Sequence, residues 1–105
     1  MNNDKLLGLI GIATKAGKVS AGAEVVTDSI KFKKAKLVIL ASDCSEKTKK
    51  NFIYLCEQYG IKCFTYETID NLSNTIGKKN KAVLCIKDKN FADEMVRIYG
   101  GESIG

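Results

Sequence analysis

Two hydrophobic periods alternate along this chain. Leu6, Leu7, Ile10 and Ala13 fall at i, i+1, i+4 and i+7, which predicts a helix from Asn3 to Ala16 ended by Gly17. Val19-Ser20 reads as a short extended piece, and a second helix opens on Gly22 with Ala23, Val26 and Ile30 as its buried stripe. From Lys36 to Ala41 the apolar residues are consecutive, the pattern of a central strand covered on both faces. Asp43 followed by Glu46 resembles a capping box opening a third helix, in which Phe52, Leu55, Cys56 and Tyr59 share a face and Gly60 ends the run. Ile61 to Thr65 is a third strand, and Ile69, Leu72 and Ile76 mark a fourth helix closed by Gly77. Ala82 to Ile86 is another fully apolar strand, followed by a helix from Asn90 to Tyr99 that turns Phe91, Met95 and Ile98 inward.

Strand-helix alternation with two doubly covered strands predicts an α/β fold, a three-layer α/β/α sandwich around a small mixed four-stranded sheet. Residues 1–105 are expected to form one domain, long enough to bury a core without disulfides or a metal, with 100–105 as a loose tail. No internal repeat, linker or low-complexity segment interrupts the pattern.

Charge adds a class of partner. Seventeen basic residues against twelve acidic ones give a net charge of +5, which favours nucleic acid or an acidic surface. Arg97 is the one arginine; the other basic residues are lysines, point charges on flexible stems that suit phosphate better than base edges. Lysines concentrate in two segments, Lys31 to Lys36 and Lys78-Lys79-Asn80-Lys81, each at the start of an apolar strand. In a sheet with parallel neighbours the two would share an edge and make one patch; the bland alternative is that they guard buried strands against aggregation.

Catalysis finds no support. Cys44, Cys56, Cys63 and Cys85 contain no C-x-x-C pair and the chain has no histidine, so the usual zinc spacings, a Cys-His nucleophile and a histidine base are absent. Cys56, Cys63 and Cys85 lie in apolar runs and read as small core residues, with Cys44 partly exposed. The segment Gly11 to Lys18 imitates a phosphate-binding loop, but Ala16 stands where its glycine belongs and Val19 where Ser or Thr must follow the lysine. That segment also ends a helix, where the macrodipole repels phosphate. The reading is therefore no enzyme, no cofactor and no metal. No stretch approaches the roughly 20 apolar residues of a membrane span, and Met1-Asn2-Asn3-Asp4 lacks the basic start of a signal peptide, so a reduced, cytoplasmic protein is expected.

The best anion site is the helix that opens on Gly22. Its first turn offers backbone N–H groups with no partner inside the helix. Ser20, Ser42, Asp43 and Ser45 form a polar rim, and helix capping accounts for Asp43 and Ser45. Gly22 is a weak cap, and a glycine there permits close approach by another backbone. Phe32, Tyr54, Phe64 and Tyr66 could stack on bases, although the spacing of Phe32 and Phe64 fits core positions.

The order of these elements, with Gly22 spaced to Val26, the Ala35-Lys36-Leu37-Val38-Ile39-Leu40-Ala41-Ser42-Asp43 strand and turn, Leu55-Cys56-Glu57, and Leu72 through Ile76-Gly77-Lys78, resembles the kink-turn RNA-binding ribosomal-protein superfamily of the L-seven-Ae/L-thirty-e type. Within it the chain is most similar to a small bacterial branch, and the likeness runs from Lys5 to Val96. The resemblance implies an α/β/α fold and RNA binding without catalysis. In that family the helix start enters the widened groove of a kink, and the loop before the last strand covers a flipped-out base. Glu24 and Val25 occupy the places of an Asn-Glu pair that would hydrogen-bond sheared G·A pairs, and Asp28 stands where a lysine is found. The RNA-binding residues implied are Gly22, Ala23 and Glu24 at the helix mouth, Lys33, Lys34 and Lys36 for phosphate, and Lys78, Lys79 and Lys81 in the covering loop. The expected partner is ribosomal or other structured RNA, including the ribosome; the alternative is a protein-interaction or ribosome-assembly domain without strong RNA specificity.

Overall fold

A computed structural model describes the backbone of residues 2–104 and the side-chain environments of residues 5–100. Its elements are α1 (Asn2–Lys15), β1 (Val19–Ala21), α2 (Ala23–Lys31), β2 (Leu37–Leu40), α3 (Glu46–Tyr59), β3 (Lys62–Thr65), α4 (Ile69–Thr75), β4 (Val83–Ile86) and α5 (Lys89–Ile104). The strands form one mixed sheet in the order β1-β4-β2-β3. Only β2 and β3 run parallel; β4 is antiparallel to both β1 and β2.

The doubly covered strands are the two inner ones. Every residue of β2 and β4 is buried, because α2 and α3 pack over one face of the sheet while α1, α4 and α5 pack together on the other. Each such side chain removed from water contributes about 1.5–3 kcal/mol, so these eight positions are the centre of the core. Leu6, Ile10 and Ala13 of α1, Val26 and Ile30 of α2, Phe52 and Cys56 of α3, Leu72 of α4 and Met95 of α5 close over them.

Several expectations change. Asp43 does not cap its own helix: Ser45 is the N-cap of α3 and accepts from the Thr48 N–H, while the Asp43 carboxylate accepts from the Ile69 N–H at the start of α4, 2.8 Å away. Ser42 joins this tie, its N–H and hydroxyl both donating to the Glu67 carbonyl. The last helix, expected to end at Tyr99, runs as α5 to Ile104, with Gly105 outside the described residues; neither Pro nor a left-handed glycine stops it at Gly100. Cys44 is 7% exposed and packed into the core, whereas Cys63 is only half-buried, on the edge strand β3. Tyr59 leaves the buried helix face predicted for it and is 41% exposed.

Candidate nucleic-acid interface

Strand direction decides which predicted residues meet. The pairing sets Leu37 opposite Ile86 and Leu40 opposite Val83, so the start of β2 and the start of β4 lie at opposite ends of the sheet. Lys31 to Lys36 and Lys78 to Lys81 therefore do not share an edge. The expectation of one patch fails because it needed parallel neighbours and β2 and β4 are antiparallel.

One end carries the α2 start. Gly22 donates its N–H to the Val83 carbonyl at 2.9 Å, which anchors the chain as it leaves β1. It then turns with φ 105° and ψ 146°, a conformation that a side chain rarely adopts. This backbone, and not close approach of a second one, is what the glycine serves: a β-carbon at Gly22 would stand 3.6 Å from Lys81 Nζ and touch no main chain. No side chain caps the helix, so the N–H groups of Ala23, Glu24 and Val25 face outward from an exposed first turn.

The α4–β4 loop lies against this helix start. Its anchor is Ser73, a buried hydroxyl missed in the sequence because nothing marks it as a loop tie. Ser73 Oγ accepts from the Lys81 N–H at 2.8 Å, and the Ser73 carbonyl accepts from the Lys78 N–H at 2.9 Å. Lys81 is thereby held half-buried with its ammonium beside Gly22, while Lys78 and Lys79 project from an exposed turn that Gly77 and Asn80 shape with positive φ. Gly22, Ala23, Glu24, Lys78, Lys79 and Lys81 are thus brought together; Lys33, Lys34 and Lys36 are exposed at the far end.

The electrostatics of the near end are mixed. Between α2 and α3 runs a cleft of about 420 Å³ with Glu24 and Asp28 on one wall and Asn51, Phe52 and Leu55 on the other. These carboxylates oppose phosphate on that side, leaving the Lys81 side as the approach for an anion.

The far end holds the main surprise among the aromatics. Phe32, expected in the core, is 73% exposed at the C-cap of α2. Phe64 is half-buried and its ring stacks on Tyr99 at 3.9 Å, with Tyr66 meeting Tyr99 edge-on, so one face of the Phe64 ring is taken up by packing against α5. The four thiols differ in how readily they ionise. Burial pushes Cys44 and Cys85 up, and the bond to Cys63 together with burial does the same for Cys56, so Cys63 is the member of that pair that ionises first. Among the described residues no group of three His, Cys, Asp or Glu side chains could hold a metal, and no helix is long and apolar enough to cross a membrane.

With an uncapped, glycine-started helix beside a lysine loop at one end of its four-stranded sheet, the molecule is a small α/β/α sandwich domain. The chain belongs to the ribosomal protein L7Ae/L30e/S12e/Gadd45 family, whose profile matches residues 4–96. It is 36% identical over 100 residues to RNA-binding protein YlxQ of Enterococcus faecium, covering 95% of this chain and 96% of that one. The YlxQ of Bacillus subtilis is 32% identical over 90 residues, 86% of this chain and 90% of the relative. These relatives place it in the YlxQ-like branch of the family. A solved Bacillus halodurans protein of unknown function superimposes with a TM-score of 0.88 at 30% identity, over 91% of this chain and 97% of that one. The fold is also that of the Giardia lamblia 15.5 kD RNA-binding protein, with a TM-score of 0.79 at 19% identity over 99% and 90% of the two chains.

Proposed function

We propose that this chain is a non-catalytic RNA-binding protein that grips structured, kinked or ribosomal RNA at the end of the sheet where α2 begins. The observation that carries the reading is the placement of Lys81 Nζ 3.6 Å from where a Gly22 β-carbon would stand, beside first-turn N–H groups left without a side-chain cap. A phosphate there meets a lysine and a helix N-terminus together. Lys78 and Lys79 extend the contact along the backbone, while Val25, at the place of a base-contacting residue in the family, offers no side-chain hydrogen bond. Affinity then comes from phosphates more than from sheared pairs. The RNA-binding names of the YlxQ relatives support RNA as the ligand. Four free cysteines suit a reducing cytoplasm.

A protein partner, in ribosome assembly or elsewhere, is the second reading. It is favoured by the cleft between α2 and α3, where Glu24 and Asp28 repel phosphate above an apolar floor.

The deciding test is the affinity of the protein for a kink-turn RNA and for a straight duplex of equal length across a salt series. The expected outcome is binding to the kinked RNA at least about tenfold tighter, about 1.4 kcal/mol, with the log-log salt slope falling by about 0.9 for each phosphate that Lys78→Ala/Lys79→Ala leaves unneutralised. Equal binding to both RNAs removes the shape preference; no binding to either, with salt-insensitive capture of a ribosomal protein, hands the site to the second reading.

A further inference from the structure

The far end of the sheet is built from lysine. Lys18 precedes β1, Lys36 precedes β2, Lys62 opens β3 and Lys87 follows β4. The register gathers all four strand ends there, with Val19 and Leu37 both opposite Ile86 and Lys62 opposite Leu37. Main-chain bonds tie the flanking residues to one another: the Lys87 N–H donates to the Lys18 carbonyl and the Lys36 N–H to the Ile86 carbonyl, each at 2.8 Å. The C-terminus of α2 adds Lys31, Lys33 and Lys34. Of the nearby carboxylates, Asp88 is engaged by the Phe91 N–H at the start of α5.

Two aromatic rings stand in this basic field. Phe32, 73% exposed, is flanked in sequence by Lys31 and Lys33. Its chain neighbours Ile30 and Lys33 line a groove of about 360 Å³ that Phe32 itself does not line, with Ile30, Ala35 and Ile61 as its floor, Tyr59, 41% exposed, as a wall, and Lys33 and Lys36 on its rim. Exposed rings with an apolar floor suit the face of a base, and lysines around them suit the phosphates that flank it. A base can reach a ring in this way only when it is unpaired. Lysines make point-charge contacts, so the arrangement accepts any base that stacks.

We propose that this end is a second RNA site, which holds a single-stranded segment with bases stacked on Tyr59 and Phe32 and phosphates on Lys33 and Lys36. It shares no residue with the α2 start and stands or falls apart from it.

The test is fluorescence anisotropy with a labelled oligouridylate of about ten nucleotides at low salt, using Phe32→Ser, the double variant Lys33→Ala/Lys36→Ala, and the charge-matched control Lys47→Ala/Lys50→Ala. Because Phe32 is exposed, its variant should melt with the parent protein, which circular dichroism checks. Phe32→Ser and the Lys33/Lys36 double variant should each weaken binding at least fivefold, the control less than twofold, and the double variant should lower the salt slope by about 1.4, or about 0.7 per phosphate on a single strand. The proposal is overturned by an unmoved Phe32→Ser, by an equal loss in the control, by no binding of the wild type, or by equal affinity for a straight duplex or an oligoglutamate peptide. Oligouridylate binding with no kink-turn binding would keep this site and remove the one at Gly22.

Discussion

Two residues with positive φ sit at opposite ends of α2 and make opposite demands. Gly22 occupies a region essentially closed to side chains, so Gly22→Ala should cost about 1–3 kcal/mol even though there is room for the methyl group. Lys33 takes φ 62° just past the helix, where the Lys34 N–H donates to the Ser29 carbonyl and the Lys33 N–H to that of Ile30. That is the closing turn in which glycine is preferred, so Lys33→Gly should stabilise the protein by about 0.5–1 kcal/mol. Urea unfolding checks both, with the midpoints moving in opposite directions and the slope unchanged. Lys33 thus stands on the rim of the groove in a backbone conformation that glycine would hold at lower cost. The sequence made Gly22 legible, because a glycine opening an amphipathic run is a local signal. It could not do so for Lys33, since lysine carries no mark of a left-handed turn, nor for Phe32, whose spacing is that of a core residue although the helix ends beneath it.

At the scale of elements, the loops that shape the near end are held by side chains far from them in sequence. Ser73 on α4 carries the Lys81 amide, eight residues on, and Ser73→Ala would leave that N–H without its partner. The expected cost is about 1–3 kcal/mol, and hydrogen exchange at the Lys81 amide should rise while the inner amides of β2 stay protected. The strands at 37–40 and 83–86 were legible because burial on both faces leaves an unbroken apolar run. The partner of Asp43 was not, because a capping pattern read locally has no view of Ile69, 26 residues later. Gly100 misled in a different way: a glycine near a helix end reads as a stop, yet α5 passes through it.

For the whole molecule, the α/β/α layering could be read from periodicity, but strand order and direction could not, since they rest on pairings between distant segments. That gap altered the candidate site most. Two lysine segments that look equivalent along the chain, each ahead of an apolar strand, point to opposite ends of the sheet because β4 lies antiparallel to β2. Sites this well separated should act independently: on an RNA with both a kinked stem and a single-stranded extension, the affinity decreases from Lys78→Ala/Lys79→Ala and Lys33→Ala/Lys36→Ala should add to within about 0.5 kcal/mol in the quadruple variant, measured by equilibrium titration. On the two-site proposal, the reversed direction of one strand sets the valence of the protein. With a grip at each end of a body only 32 × 27 × 27 Å across, an RNA already held by its fold presents its loose segment at a high effective concentration, and the spacer between the two, rather than any new contact, tunes the avidity.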